Sequence, residues 1–370
     1  MRIAGFFLST PCMGLIMTND ENEQTVDKDW KSLPDNIREA LKIGWSNGMP
    51  PLATAIHARW WQLETWLRTL VYVELRTKLG SNWVNALPKV SEKRQQGEDE
   101  FGYMATPDAQ NRLAYTDASI LFEITLEHWD IFENLLLPKN IWAGRIQELL
   151  AIRNRMGHCR RPHADDLLRL EQTLRDLEKG AFSATSSFNN QWPAKDIWID
   201  EITDGWAREQ HDTARRLIKH AERSYDTIFE LKYSRRPWSN TTTPIKTISG
   251  VSGYVWHAFW YFRGGRPFKL DKFWQDIKLH NDSILLVCAE TSSSISVSFS
   301  AMEDPKTISN TIGECFDAAL TSIGRDDRSY IGSGNWQEKY ADLDPRVHIA
   351  SPWALVEESM RENGISIFNA

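Results

Sequence analysis

"NIWAGRIQELLAIRNRMGHCRRPH", residues 140–163, decides how the chain folds and what it is for. Trp142, Ile146 and Leu149 recur in steps of four and three, the spacing of one face of a helix. Two more steps of that rhythm predict inward-facing positions at 153 and 156. Met156 fits, but Arg153 stands where an apolar residue is expected. A guanidinium is expensive to bury without a partner. Three readings follow: Arg153 lies at an edge where the helix meets an interface, it has an anionic partner, or the stripe drifts and the side chain snorkels to water. Gly157 and the following Arg160-Arg161-Pro162 predict that the helix does not run straight on past His158. A bend there brings Arg153 and His158 to one place. Residues 152–163 hold four arginines, two histidines and no acid, in a chain of formal net charge −7.

Working outward, residues 53–79 read as a long helix with Ile56, Trp60, Leu63, Leu67 and Leu70 on one stripe, and Glu64 and Arg68 as an i,i+4 pair. Residues 81–115 are polar and turn-rich, an inserted loop with room for one short helix. Helical spacing returns at 116–136 and stops at Pro138. The helix of the opening stretch follows. A fourth starts beyond Pro162, with His163, Leu167, Leu170, Leu174 and Leu177 on one stripe and Gly180 just past its predicted end. Four amphipathic helices make a bundle.

Residues 181–193, rich in Ser and Asn, read as a linker, and 201–232 as another helix. Beyond that the periodicity changes. "YVWHAFWYF" (254–262), "SILLVCAE" (283–290) and "SISVSFSA" (294–301) read as strands, 306–323 as a helix and "NGISIFNA" (363–370) as a last strand. The expected organisation is α+β overall. A mobile N-terminus (1–25) precedes an all-α bundle (26–180), a linker (181–200) and a mixed α+β C-terminal domain (201–370) of unassigned role. No internal repeat is present.

With 41% apolar and 25% charged residues the chain has a soluble globular composition. No apolar run approaches the roughly 20 residues that span a bilayer. The four cysteines, Cys12, Cys159, Cys288 and Cys315, form no CxxC pair, which argues against a zinc site or a disulfide framework and fits a cytoplasmic location. The apolar opening residues are broken by Pro11 and read as a start at Met17 instead of a secretory signal. Seventeen tryptophans supply large flat anchors for cores, interfaces or base stacking.

Arg153-Asn154-x-x-x-His158, late in a four-helix bundle, resembles the motif of the HEPN superfamily (higher eukaryotes and prokaryotes nucleotide-binding). Its form is that of the prokaryotic HEPN ribonucleases of toxin–antitoxin and anti-phage systems. The resemblance covers roughly residues 50–180 and implies metal-independent RNA cleavage, without a cofactor, at a composite site between two protomers. The residue types suit that chemistry. A histidine, with an ordinary pKa of about 6.5, exchanges protons near neutrality. A bidentate guanidinium, here Arg153, stabilises charge building on a phosphate. Asn154 can orient either group, and Arg155, Arg160, Arg161 and His163 read as RNA-backbone contacts. The partners implied are RNA, a second copy of the chain and an antitoxin or regulatory protein, with no membrane.

Other readings stay open. The bundle could be a non-catalytic HEPN module that binds RNA, a nucleotide or a protein. It could also lack any nucleic-acid role, with 152–163 a charged helix end, which the acidic net charge favours. "GSGN" (332–335) lacks the ending of a P-loop, and "RGGRP" (263–267) reads as a hairpin connection. His257, among aromatic residues, reads as packed in a sheet.

Overall fold

The computed structural model describes residues 33–103, 112–239, 246–263, 268–277, 282–324, 343–357, 359–360 and 364–370. The N-terminal start and its mobility, Cys12, "GSGN" and most of "RGGRP" lie outside the described residues.

A helix that sequence spacing did not single out, α1 (Asp35–Ser46), leads into α2 (Pro51–Leu79). A 3-10 turn and α3 (Lys89–Asp99) lie within the polar stretch expected as a loop. α4 (Ala118–Glu127) and the single turn α5 (Trp129–Phe132) divide what read as one helix. α6 (Lys139–Gly157) and α7 (Asp166–Asn189) complete the bundle. Sequence spacing placed the helices well but not their ends. Gly180 does not stop α7. It lies mid-helix because a Cβ there would come within 1.9 Å of the Leu135 carbonyl oxygen, so only glycine lets the two backbones approach.

The expected linker is therefore helical through Asn189, and it ends in a strand, β1 (Trp192–Pro193). The expected helix over 201–232 is also corrected. A π-turn (Thr203–Ala207) precedes α8 (Asp212–Tyr225), and Asp226, in left-handed conformation, ends α8 and starts strand β2 (Thr227–Arg235). β3 (Tyr254–Phe262), α9 (Leu270–Ile277), β4 (Ile284–Ala289), β5 (Ser294–Ser300) and α10 (Pro305–Ser322) follow. The final strand is β6 (Val347–Ile349), ahead of the short α11 (Pro352–Leu355). The described part of 363–370 forms no strand. The six strands make one mixed sheet, ordered β1-β2-β3-β5-β4-β6, antiparallel except where β6 runs parallel to β4. The chain is α+β.

Alternation along the strands builds two cores. Trp256, Trp260, Val297 and Phe299 pack with α8, α9 and α10. Val255, Leu285, Leu286 and Cys288 join the bundle core. The second half of α2 is consequently buried on every side, from Val71 to Thr77, as a helix between two layers must be. Polar groups register it on the sheet: Tyr72 Oη donates to the Ile284 carbonyl (3.2 Å) and Ser300 Oγ to that of Arg76 (2.8 Å). Among the described residues two ion pairs cross the junction. Arg76 reaches Glu303 at 2.6 Å. Arg236, just past β2, pairs with Glu74, and both side chains are fully enclosed. Trp238 Nε1 donates to the same carboxylate at 2.7 Å, and Arg236 also donates to the Ala184 carbonyl of α7 at 3.0 Å.

His257 lies in that same layer, buried as its aromatic neighbours predicted. Its Nε2 and Nδ1 meet the hydroxyls of Ser234 (2.7 Å) and Ser298 (2.8 Å), and Phe188 of α7 packs edge-on at 4.8 Å. Burial, aided by the charges of Arg236 and Lys232, pushes the imidazole down to about 3. The unfolded chain then binds the extra proton first, so stability is fully present above an ordinary histidine pKa and falls with pH through the window down to the folded value. The expected loss from this one group is about 3 kcal/mol between about pH 8 and about pH 4. Urea midpoints across that range measure it, and His257→Gln should flatten the slope.

Candidate active site

α6 ends in a built stop. Cys159 takes φ +51°, its N–H bonds to the Met156 carbonyl (3.0 Å), and the Arg160 N–H bonds to that of Arg155 (2.8 Å). This is the paired-bond Schellman ending, with a cysteine in the left-handed position that glycine usually fills. Gly157 itself remains helical, so the predicted bend falls two residues later than the glycine suggested. His158 caps the helix, its N–H bonded to the Asn154 carbonyl.

The stripe of α6 continues through Ile152, which is buried, and not through Arg153. Arg153 therefore sits on the shoulder of the helix, its side chain 41% exposed. Its guanidinium lies along the helix over Gly157, 3.7 Å from where a Cβ would stand. Asp117 is 3.9 Å away and already accepts from Arg94 at 2.8 Å, so Arg153 keeps much of its hydrogen-bonding capacity. Asn154 and His158, four residues apart, are both exposed, with side chains unpartnered among the described residues.

Arg153, Arg160 and Arg161 line one groove of about 910 Å³. Its other wall is the first half of α2, which presents His57, Trp61, Glu64, Thr65 and Arg68. Neither Arg160 nor Arg161 has an ion-pair partner among the described residues. Glu64 and Arg68 form the predicted i,i+4 pair at 2.6 Å while facing the groove. His57 and Trp61 were not legible as site residues, because a single histidine and a tryptophan on a helical stripe carry no spacing signal. His158 is not among the groove-lining residues.

Two of the residues expected at the RNA backbone, Arg155 and His163, share an acidic neighbour. Arg155 is committed to Asp166, a buried carboxylate: Nε donates to Oδ2 at 2.9 Å and Nη2 to Oδ1. The His163 N–H donates to the same Oδ2 at 2.9 Å. Asp166 thus ties α6, the loop and α7 together, and the absence of acids in the sequence stretch does not hold in space. His163, Asp165 and Asp166 approach one another closely enough to suit a metal ion, within 4.8 Å. Arg155 already occupies Asp166, and Asp165 pairs with Arg169, whose hydrogen bond holds the Asp165 carboxyl below its usual range. Arg155→Ala strands a buried charge and is expected to cost about 3 kcal/mol. Arg160→Ala and Arg161→Ala should leave stability within about 0.5 kcal/mol. Chemical denaturation of the three variants checks the contrast.

No helix among the described residues is long and apolar enough to cross a membrane. No curated protein and no solved structure matches the chain. Residues 61–180 match the family model described as Swt1-like HEPN, a span that opens inside α2 and closes inside α7. Over that segment, which holds the groove arginines and His158, the chain carries a domain of the HEPN superfamily.

Proposed function

We propose that the chain is a metal-independent endoribonuclease of the HEPN type, a toxin or anti-phage effector of the cytoplasm that works as a homodimer. The observation that carries this reading is the end of α6, inside the HEPN-matching segment: arginines without fixed partners beside an exposed, unpartnered histidine. In the proposed reaction the ribose 2'-oxygen attacks the adjacent phosphorus and the P–O5' bond breaks. A histidine takes the 2'-OH proton and another proton reaches the leaving 5'-oxygen. Arg153 stabilises the charge on the non-bridging oxygens, Asn154 orients the phosphate, and Arg160 and Arg161 hold the backbone. One protomer supplies one motif histidine. A two-fold axis near Arg153 and His158 adds a second without further sequence. The C-terminal half then restrains or triggers the site through an antitoxin or regulatory partner.

Purified protein is expected to cut RNA in EDTA, leaving 2',3'-cyclic phosphate and 5'-hydroxyl ends. A strict need for a divalent ion, or 3'-hydroxyl products, would falsify the mechanism. Mixing Arg153→Ala with His158→Ala protein should restore activity above either alone if the site is composite. A non-catalytic HEPN module is favoured by one observation, that His158 is not among the residues lining the groove. Tight RNA binding without any cleavage, by dimeric protein, would select it.

A further inference from the structure

Arginines of this acidic chain commonly pair with acids, as Arg76, Arg155 and Arg236 do. On α8 the pattern differs. Arg216, Lys219 and Arg223 are exposed and stand in no ion pair among the described residues. Steps of three and four place them in one row along the helix, about 10 Å long at a rise of about 1.5 Å per residue. Arg216 Nε donates only to the Asp212 carbonyl of its own helix, at 3.3 Å. The acids of α8 do not neutralise the row. Asp212 is taken by Arg215 at 3.1 Å, and Glu222 stands about 100° round the helix from Arg223.

Like charges three and four residues apart repel and weaken a helix. Nothing in the fold offsets that cost here, so the row suits a partner that does. The opposite face of α8 is already in use: Ala214 and Ala221 are enclosed, and Leu217 and Ile218 pack on the sheet core. A helix that binds a membrane surface needs a free apolar face to enter the lipid, and α8 has none. What it offers is a straight line of charge alone. That matches a polyanion whose own charges repeat along a line, as phosphates do along a nucleic acid strand.

We propose that the outer face of α8 is a second RNA-binding surface, holding the backbone of the substrate away from the cut through Arg216, Lys219 and Arg223. This rests on the ribonuclease reading above. The bundle packs against one face of the sheet and α8 against the other. The stretch of RNA on α8 is therefore a different one from the stretch in the groove, and a dinucleotide seated in the groove does not touch α8. Contacts to phosphate carry no sequence information, so the surface raises affinity for long RNAs of any sequence and leaves the chemical step alone.

The test uses full-length protein and two triple variants that remove the same three charges. One is Arg216→Gln with Lys219→Gln and Arg223→Gln. The other takes three scattered, exposed lysines in no ion pair among the described residues: Lys42→Gln with Lys179→Gln and Lys306→Gln. Affinity for a long unstructured RNA is read by fluorescence anisotropy across a salt series, in a His158→Ala background so that binding is scored whether or not the parent cleaves. Three lost phosphate contacts should make the slope of log affinity against log salt shallower by about 2, which is about 100-fold weaker binding at about 0.1 M salt. The scattered variant should stay within about threefold of the parent. Arg216→Lys with Arg223→Lys, which keeps the charge, should also bind normally. In the His158 parent, cleavage of a dinucleotide by the α8 variant should stay within twofold while KM for the long RNA rises. Equal RNA binding by the two triple variants, with normal folding by circular dichroism, overturns the surface even if the chain cleaves RNA. So does α8-dependent binding of phosphatidylserine vesicles or polyglutamate as tight as that of RNA, which would assign the row to a membrane or an acidic protein. A chain that never cleaves RNA, yet binds it through α8, sinks the ribonuclease reading and keeps the surface.

Discussion

Replacing His158 by alanine is expected to slow RNA cleavage by about 100- to 10,000-fold, the range over which a positioned acid or base contributes. The melting temperature should not move. His158 is exposed and its side chain has no partner among the described residues, so nothing in the fold depends on the imidazole. Arg153→Ala is expected to behave alike, since its one described ion pair, at 3.9 Å, is loose and shared with Arg94. Single-turnover kinetics beside a thermal melt separates chemistry from folding. Near-normal rates in either well-folded variant would remove that residue from the site.

A second large effect is expected at the junction of bundle and sheet. Glu74→Ala leaves the Arg236 guanidinium enclosed with no counter-charge and takes the acceptor from Trp238 Nε1. Breaking such a pair from one side costs about 3–5 kcal/mol. The pair as a whole is worth much less, because both charges lose water on folding. Glu74→Leu combined with Arg236→Met should accordingly lie closer to the parent than either single change. Guanidinium midpoints of the four proteins make the cycle, and a single-variant loss below about 1 kcal/mol would mean that water reaches the pair.

These two sites differ in how far sequence could reveal them. The HEPN-type motif was legible because its residues lie within six positions of each other on one helix end. The bundle was legible for the same reason, local periodicity. The junction was not, since Glu74 and Arg236 are 162 residues apart and each resembles a surface charge. Gly180 misled because glycine signals a helix stop as well as a close approach, and only the Leu135 backbone tells which. β2 was absorbed into a helix because "TIFELKYSR" follows an amphipathic run without a glycine or proline between. Asp226, in left-handed conformation, is the break. The pairing of Arg155 with Asp166 was not legible either, because the acid lies on the next helix, outside the basic stretch.

The left-handed cysteine that ends α6 also offers a reporter. Cys159 is exposed and lines the groove beside Met156 and Arg160, while Cys288 and Cys315 are enclosed and burial pushes their thiols up, away from the reactive thiolate. With Cys12 replaced by serine, an environment-sensitive fluorophore should attach at this one position among the described cysteines. Its emission would follow occupancy of the groove in real time, and in His158→Ala protein it would register the arrival of an RNA apart from any cleavage.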